Sequence, residues 1–488
     1  MKAFGGALSL HGTKLLQQTP RSSVPWDFDV VIIVSGYGGS ICAARLAMAK
    51  RPKVRLAVLE RSREWIPGTF GDTLRQNSKE SRFKLPGMNR NTVDNPIGLM
   101  NVMQNEDVNV LSRNGLGGTS LINANVTIRP DRECFEQTCW PTALRDRGVL
   151  EPYFNLASRE LRVQTEASDA SPKARAQRLA ARQLAASGAH LEPADPAVTR
   201  GRPCAGGGSE AIVNRQGLIQ RACIDCGDCN SRCNVGAKNT LAMNYLPLAR
   251  RYGAEIYTHT EVVRLQKVDG YYRVHFKNYA EGHFGTYQTT CGTITSRLVI
   301  LDAGRIGSSE ILLRSRGSGM EFSERLGQQR NMNGDAVGFI RNSQHLLNSA
   351  ASNAYPNEGG LVGPTIQTNL TYPNRPDLSQ RVLIQDGSVI RSYANLLGAL
   401  MLDMDFDRTR IMLGMGHDGA NGRVVLRGDG YGTVKWPGLK ECSDRRLIRK
   451  EFAKVAEAHG GNYKYLKVWL FRRICGYRPA QNRVCISK

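Results

Sequence analysis

The sequence has 488 residues, which exceeds the usual length of one domain and predicts at least two domains with a sizeable core. Its formal net charge of +23 favours anionic partners, but lysine and arginine are spread along the chain without a recognisable nucleic-acid-binding motif. We therefore expect no nucleic-acid partner. The sequence also lacks a run of 18 apolar residues, which argues against a transmembrane span.

The first predicted elements are a buried strand, a glycine-rich turn and a helix in immediate succession. Residues 29–34 form a β-branched run typical of a strand covered on both faces, and apolar residues return at helical spacing after the glycines. At Gly36, Gly38 and Gly39, the absence of side chains lets a pyrophosphate approach the N–H groups at the start of the helix. This order predicts dinucleotide binding, although Val34 stands where the full motif has its first glycine.

A second predicted strand supplies an acid that would select the nucleotide. The run VRLAVLE ends in Glu60, about 20 residues after the turn, where a carboxylate can accept hydrogen bonds from both hydroxyls of an adenosine ribose. The same carboxylate would repel the 2′-phosphate of NADP. The competing interpretation is a glycine-rich turn of an ordinary α/β domain, and we prefer dinucleotide binding because strand, helix and acid agree.

The stretch of residues 61–105 is rich in proline, glycine, asparagine and charge. This composition predicts surface loops and short helices. We expect Trp65 and Phe70 to anchor the stretch to the body of the protein.

A second glycine cluster follows in residues 109–126. Gly115, Gly117 and Gly118 precede small hydroxyl and amide side chains, a composition that lets backbone lie against a flat or phosphorylated ligand. The alternative is a flexible loop before a strand. Farther along, residues 173–186 are rich in alanine, arginine and leucine and predict an exposed amphipathic helix before a proline- and glycine-rich link.

Four of the twelve cysteines lie in one short run. Cys223, Cys226, Cys229 and Cys233 have the C-x2-C-x2-C-x3-C spacing of a bacterial ferredoxin, although Asn234 replaces the usual proline. An iron–sulfur cluster, zinc, two disulfides and free packing thiols all remain open. Cysteines gathered in one run favour a metal or redox cluster over a dispersed disulfide framework. Such a cluster is typical of a reducing compartment, so we expect a cytoplasmic protein.

Later elements return to the first sheet. Residues 254–264 and 271–276 alternate like strands, and residues 296–316 repeat the order of strand, glycine turn and helix. The dinucleotide domain is therefore expected to be discontinuous. Residues 165–208 and 359–412 would build a separate substrate region with its own sheet.

With these pieces in order, the chain resembles the glucose-methanol-choline oxidoreductases, specifically their cholesterol-oxidase-like branch. The blocks that carry the resemblance are VSGYGGS, VLERSREWIPGTFGDTL, NGLGGTSLINANV, CGDCNSRCNVGAKNTLAMNYLPLA, AGRIGSSEILLRS, ERLGQQRNMNGDAVGF and MGHDGANGRVVL. The resemblance implies FAD as cofactor, an alcohol such as a sterol as substrate, and oxygen or another electron acceptor. It also implies a role in steroid metabolism.

The resemblance further implies which residues hold FAD. The ADP half would contact Gly36, Gly38, Gly39 and Glu60; the pyrophosphate and flavin would contact Gly117, Gly118, Thr119 and Asn123; the adenine would lie by Val262, and the phosphate region by Ala303 and Gly304. Three positions depart from the family pattern and would weaken FAD binding: Val34, Asn114 and Arg305.

The C-terminal segment of the sequence differs most from the family pattern. The family continues past residue 462 into a histidine-containing block, whereas this sequence continues with a basic segment that includes Trp469, Leu470 and Phe471. We therefore expect a truncated chain with impaired activity and assign no catalytic histidine, since His417 and His459 do not match that block. Asp386 stands where sterol oxidases tend to have a substrate-facing glutamate, although a solvated turn acid is the preferred interpretation.

Together these features predict an α/β protein with a discontinuous Rossmann-like FAD domain and an α+β substrate domain containing an antiparallel sheet. The predicted function is FAD-dependent oxidation of a sterol-like or other bulky alcohol; the alternatives are an inactive fold that only binds nucleotide and an iron–sulfur electron-transfer flavoprotein. The expected divisions are 25–164 (FAD domain, first part), 165–208 (helical linker of the substrate region), 209–340 (FAD domain, second part), 341–440 (substrate domain) and 441–488 (basic tail).

Overall fold

The architecture is taken from a computed structural model of the chain. It describes residues 7–18, 24–50, 53–71, 73–84, 95–103, 105, 107–164, 171–201, 209–230, 233–352, 361–389, 405–439, 443–465 and 484–486. The apolar triplet at 469–471 lies outside these ranges.

The strands are β1 (Leu10–His11), β2 (Phe28–Ile33), β3 (Leu56–Leu59), β4 (Ser81–Lys84), β5 (Met100–Met103), β6 (Asn109–Arg113), β7 (His190–Pro193), β8 (Ala211–Val213), β9 (Ile219–Arg221), β10 (Glu255–Thr258), β11 (Thr260–Val268), β12 (Tyr271–Glu281), β13 (Tyr287–Leu301), β14 (Ala336–Arg341), β15 (Thr368–Thr371), β16 (Leu383–Gly387), β17 (Arg410–Met415), β18 (Arg423–Leu426), β19 (Gly432–Lys435), β20 (Asn462–Tyr465) and β21 (Val484–Ile486).

The α-helices are α1 (Tyr37–Met48), α2 (Leu74–Lys79), α3 (Arg132–Glu136), α4 (Thr142–Arg145), α5 (Glu151–Leu161), α6 (Pro172–Leu184), α7 (Tyr245–Arg251), α8 (Gly304–Arg314) and α9 (Ser443–Ala458). Short 3₁₀ helices span Gly12–Gln17, Gly118–Leu121, Arg147–Val149, Ala185–Ser187, Leu241–Met243, His283–Gly285 and Leu378–Gln380.

A seven-stranded sheet forms the first layer, in the order β1-β10-β3-β2-β13-β12-β11. Its first five strands pair in parallel, and β12 and β11 extend it as an antiparallel ribbon. Alternate residues of β2 face opposite hydrophobic clusters: Val30 and Ile32 pack in the cluster that includes residues of α1 and α7, and Val31 and Ile33 pack in the cluster that includes Ile311 of α8. The strand is therefore covered on both faces, as its β-branched sequence predicts.

The second large sheet has six strands in the order β20-β14-β17-β16-β15-β7, all paired antiparallel. One hydrophobic cluster joins it to helices α6 and α9 through residues such as Ala181 and Phe452. The seven-stranded sheet draws its strands from two separate parts of the chain, and the six-stranded sheet is antiparallel. These observations confirm the predicted fold class.

The stretch of residues 61–105 contains more regular structure than its composition predicts. Strands β4 and β5 join β6 and β21 in a four-stranded sheet, so the expectation of loops and short helices alone is wrong. Trp65 and Phe70 do anchor the stretch, because both are buried and their rings stack with centroids 5.6 Å apart. Two hairpins, β8-β9 and β18-β19, complete the sheets.

Helix α6 confirms a predicted helix but corrects its surroundings. Its sequence predicts an exposed helix, whereas Lys173, Gln177 and Ala180 are all fully buried. A helix whose partners lie far along the chain cannot be distinguished from a surface helix by its own periodicity. Across the described ranges, none of the helices combines the length and the apolar character that crossing a membrane requires.

Candidate dinucleotide-binding site

The turn after β2 keeps the backbone shape of the glycine that its sequence lacks. Val34 has φ 75°, in the left-handed region that β-branched residues rarely adopt. Its N–H nevertheless donates to the Leu59 carbonyl at 2.8 Å, which holds the turn against β3. Such a conformation costs on the order of 1–3 kcal/mol. Val34 therefore adopts, at a cost in strain, a backbone conformation that glycine would adopt freely.

Two glycines make the close contacts of the turn possible. A Cβ on Gly39 would lie 2.2 Å from the Val34 carbonyl oxygen, and a Cβ on Gly118 would lie 2.9 Å from the Gly36 Cα. Both distances are shorter than side chains tolerate. The Gly117 N–H also donates to the Ser35 hydroxyl at 3.0 Å. The two glycine clusters, which are distant in sequence, thus meet at the N-terminus of α1.

Glu60 lies beneath this junction. It is 2% exposed, and it accepts hydrogen bonds from the Ser35 hydroxyl at 2.6 Å, from the Ser35 N–H at 3.2 Å and from the Ser62 N–H at 3.2 Å. Burial raises the pKa of its carboxyl, and the hydrogen bond from Ser35 opposes that shift. A carboxylate has about four lone-pair sites, so these three contacts leave about one acceptor site for a ribose hydroxyl, whereas the sequence predicts bonds from both hydroxyls.

An acid that the motif analysis missed occupies the mouth of the turn. The Gly39 N–H donates to the Asp302 carboxylate at 2.8 Å. A Cβ on Gly36 or on Gly38 would lie 2.8 Å from an Asp302 oxygen, so the carboxylate fills the space that these glycines leave open. The turn and the helix N-terminus fit a pyrophosphate in shape and polarity, but a protein carboxylate holds the position beside Gly39.

The other residues expected to contact the cofactor lie in the second glycine loop, at the start of α8 and in β11. Asn123 donates to the Tyr37 hydroxyl at 2.9 Å, which links the second glycine loop to α1. Thr119 lies in the 3₁₀ helix that begins at Gly118, and Ala303 and Gly304 begin α8 directly after Asp302. Val262 is buried in β11 within the hydrophobic cluster that contains Leu59.

Two departures from the family pattern have local partners. The backbone N–H of Asn114 donates to the Leu99 carbonyl at 2.8 Å, and its side chain donates to the Gly98 carbonyl at 3.2 Å. The Arg305 guanidinium donates to the Asn331 carbonyl at 3.0 Å. Asn114 therefore ties its loop to the end of the neighbouring segment, and Arg305 is held by a partner other than Asp302.

Asp386 is buried in the six-stranded sheet, so the expectation of a solvated turn acid is wrong. Its carboxylate accepts from the Lys173 ammonium at 2.5 Å, and from the backbone N–H groups of Gln367 at 3.0 Å and Thr368 at 2.6 Å. Burial acts to raise the pKa of Asp386, but Lys173 and Arg410 outweigh burial and hold that pKa below its ordinary value. With its oxygens engaged in these bonds, Asp386 has the environment of a structural ion-pair partner.

The two histidines considered in the sequence also have defined surroundings. His459 is fully buried, with Nε2 3.2 Å from the Arg410 guanidinium and 3.2 Å from the Gln177 amide oxygen. Burial, together with Arg410, lowers the pKa of His459 well below its ordinary value, so the ring is neutral. His417 is exposed in the loop after β17.

The cysteine run lines a small cavity of about 40 Å³. Burial raises the pKa of the Cys223, Cys226 and Cys233 thiols, which keeps them protonated. Lys238 closes the cavity, donating to the carbonyls of Asn123 at 2.6 Å and of Cys229 at 3.2 Å. Within the part of the chain that the structure describes, no group of three or more His, Cys, Asp or Glu side chains is arranged to hold a metal ion. The geometry thus lends no support to the zinc and iron–sulfur alternatives.

Comparison with known proteins finds relatives at low sequence identity. No family model matches the chain. It is 28% identical to the cholesterol oxidase of Acinetobacter baumannii over 336 residues, which cover 65% of this chain and 56% of that protein. It is 30% identical to the cholesterol oxidase of Mycobacterium tuberculosis over 324 residues, covering 64% and 52% respectively. The chain thus spans about half the length of the curated relatives it matches.

A solved structure supports the fold independently. The pyridoxine 4-oxidase from Mesorbium loti is 13% identical to this chain and superimposes with a TM-score of 0.50, covering 88% of this chain and 80% of that one. At this identity the likeness concerns the fold.

The strain at Val34 predicts that glycine is more stabilising than alanine at this position, the reverse of the usual order in a strand. Val34→Gly relieves the left-handed conformation, whereas Val34→Ala loses the same packing and keeps most of the strain, so we expect the glycine variant to be more stable by about 1 kcal/mol. Urea unfolding of both variants measures the difference. Val31 in β2 is the control, because there alanine should be more stable than glycine by about 0.5–1 kcal/mol. An alanine advantage at both positions would contradict the strain at Val34.

The ion pair in the six-stranded sheet predicts a second stability difference. Lys173→Met leaves the Asp386 carboxylate buried without its ammonium partner and should lower the free energy of unfolding by about 3–5 kcal/mol. Lys173→Met combined with Asp386→Asn should recover part of that loss, because the unpaired carboxylate charge is removed while an amide oxygen still accepts from the Gln367 and Thr368 N–H groups; Arg410 then lacks its anionic neighbour, so recovery is incomplete. Arg132→Ala, which breaks an exposed pair with Glu136, should cost less than about 1 kcal/mol. Equal losses for Lys173→Met and Arg132→Ala would contradict the pair.

The protonated cysteine thiols predict slow alkylation. Iodoacetamide at about neutral pH should modify the exposed Cys139 and Cys291 well before Cys223, Cys226 and Cys233, as mass spectrometry of the native protein can measure. Metal analysis of the same sample should find neither zinc nor iron in stoichiometric amount. Stoichiometric iron with acid-labile sulfide would overturn the interpretation of the run as packing thiols.

Proposed function

We propose that this chain, a relative of the cholesterol oxidases with the fold of the glucose-methanol-choline oxidoreductases, is an FAD-dependent oxidoreductase that oxidises the CH–OH group of an alcohol. The observation that carries the proposal is the junction of the two glycine clusters, where Gly118 meets Gly36 at the N-terminus of α1. This junction lies at the end of parallel strands, which is where such sheets bind dinucleotides.

The protein's own groups bind and orient the cofactor. The N–H groups that begin α1 would face the pyrophosphate, and the partial positive charge of the helix N-terminus would stabilise it. Glu60 and Ser35 would bind the adenosine ribose from below, while the loop that begins at Gly117 would cover the dinucleotide on the other side. Bound FAD would supply the two-electron chemistry by accepting a hydride from the alcohol carbon.

For the substrate we propose a sterol-like or other bulky alcohol, with oxygen or another electron acceptor reoxidising the cofactor. The two relatives described above support the sterol, since each is a cholesterol oxidase. We propose that the region around the six-stranded sheet serves as the substrate domain, with the domain divisions expected from the sequence.

A second candidate function is nucleotide binding without oxidation of an alcohol. It is favoured by the burial of Asp386, the one acid that the resemblance offered for the substrate side. His459 is likewise engaged with Arg410 and Gln177, so neither group is placed to accept a proton from a bound alcohol.

Anaerobic reduction of the flavin tests the two candidates against each other. The protein is loaded with FAD, and the visible flavin absorption is followed after addition of cholesterol, benzyl alcohol or buffer. Bleaching with cholesterol supports the alcohol oxidoreductase and its preference for sterols. Bleaching with benzyl alcohol alone would support the oxidoreductase and contradict the sterol. Retained FAD that no alcohol bleaches would support the second candidate.

Substitution of Glu60 distinguishes a loss of FAD binding from a loss of folding stability. Glu60→Ala should weaken FAD retention about tenfold or more, because the ribose loses a charged hydrogen-bond acceptor. Glu64 is the matched control, since its carboxylate also accepts from two backbone N–H groups and a serine hydroxyl but lies away from the turn. Glu64→Ala should lower the Tm while retaining FAD. Equal FAD retention by Glu60→Ala and the parent at matched dilution would refute the assignment.

A further inference from the structure

The carboxylate of Asp302 and the phosphates of a dinucleotide would require the same space. Asp302 follows β13, and its backbone N–H donates to the Ile33 carbonyl at 3.0 Å, which fixes the residue beside the end of β2. Its side chain reaches the glycine turn, where one oxygen accepts the Gly39 N–H and both oxygens lie against Gly36 and Gly38. The face of the turn formed by Gly36, Gly38 and Gly39 is thus in contact with an anion of the protein itself.

The surroundings of this carboxylate contain little positive charge. Among the described residues no lysine, arginine or histidine forms an ion pair with Asp302, and the neighbouring Arg305 is directed to Asn331. From α1 the groups that face Asp302 are the Gly39 N–H and the Cys42 thiol, whose pKa is raised first by burial and then by Asp302. From β2 the nearest group is the neutral Ile33 carbonyl. The partial positive charge of α1 therefore supplies the main stabilisation of this anion.

We propose that Asp302 is a built-in competitor of the dinucleotide pyrophosphate. To bind the turn, the pyrophosphate must displace this carboxylate or meet it after solvent has protonated it. The inference rests on the proposed function, because it takes the glycine turn as the pyrophosphate site. Asp302 would then set the affinity and the specificity of the site. A ligand with phosphates can bind at the N-terminus of α1 only if the hydrogen bond from the Gly39 N–H to the Asp302 carboxylate breaks.

The competition has a definite dependence on pH. Burial raises the pKa of Asp302, although the hydrogen bond from Gly39 opposes the shift. Protonation removes the charge that repels the phosphates, so FAD should bind more tightly as the pH falls toward the acid range and less tightly above it. Glu60 is buried close to the same turn and its pKa is also raised by burial, so a variant of Asp302 is required to assign the effect.

The experiment measures the dissociation constant of FAD by quenching of flavin fluorescence on protein freed of flavin by dialysis. Asp302→Asn keeps an oxygen acceptor for the Gly39 N–H and removes the charge, and Asp302→Ala removes both. Asp269→Asn is the charge-matched control, because Asp269 lies in the exposed turn between β11 and β12. All four proteins are titrated at about pH 8 and about pH 5.5, the lower of which favours the protonated form of a carboxyl whose pKa is raised by burial.

The proposal predicts that Asp302→Asn and Asp302→Ala bind FAD at least about tenfold more tightly than the parent at the higher pH, since removal of one charge near a phosphate is worth more than a tenfold change. The parent and Asp269→Asn should bind more tightly at the lower pH, and the two Asp302 variants should lose that gain. Equal affinities of parent and Asp302 variants at both pH values would overturn the role of Asp302 and leave the proposed function standing. Absence of FAD binding in all four proteins would overturn both.

Discussion

Close backbone packing at the end of β2 is the constraint on which the site depends. Gly118 approaches Gly36 so closely that an added Cβ would lie 2.9 Å from its Cα, and Gly39 approaches the Val34 carbonyl more closely still. These contacts place two segments of chain against each other without side chains between them. The strained Val34 shows that the packing is maintained even where the sequence supplies the wrong residue for the conformation. A ligand that contacts this junction meets backbone N–H groups that suit phosphate, together with the Asp302 carboxylate that accepts one of them.

The six-stranded sheet is stabilised by a different interaction, a buried cluster of charged side chains. Lys173, Asp386 and Arg410 form a buried charged cluster that joins α6 to β16 and β17, and His459 and Gln177 extend it. Buried charges are costly unless paired, so the cluster constrains how the helix sits on the sheet. The protein thus combines a polar, backbone-lined site at one sheet with an enclosed ionic network at the other. The hydrogen bonds of the residues in that network stabilise the fold.

The parts of this architecture that the sequence predicts are those encoded locally. Strand β2, its glycine turn and α1 are adjacent in the chain, so the change from a continuous β-branched run to helical spacing identifies them. Strands β4 and β5 were missed because their pairing depends on β6 rather than on their own composition. Lys173 was expected at the surface because its partner Asp386 is 213 residues away. Asp302 was missed for the same reason, since Gly39 precedes it by 263 residues. Only the acid itself, at the end of a strand and before a glycine, could have signalled it.

We propose that the turn between β2 and α1 binds the pyrophosphate of FAD. A crystal structure of the protein soaked or co-crystallised with FAD tests it most directly. We expect phosphate oxygens within hydrogen-bonding distance of the N–H groups at Gly38 and Gly39, the ribose beside Glu60, and the Asp302 carboxylate turned away from Gly39. Phosphates bound elsewhere in the protein, with Asp302 still accepting the Gly39 N–H, would contradict it.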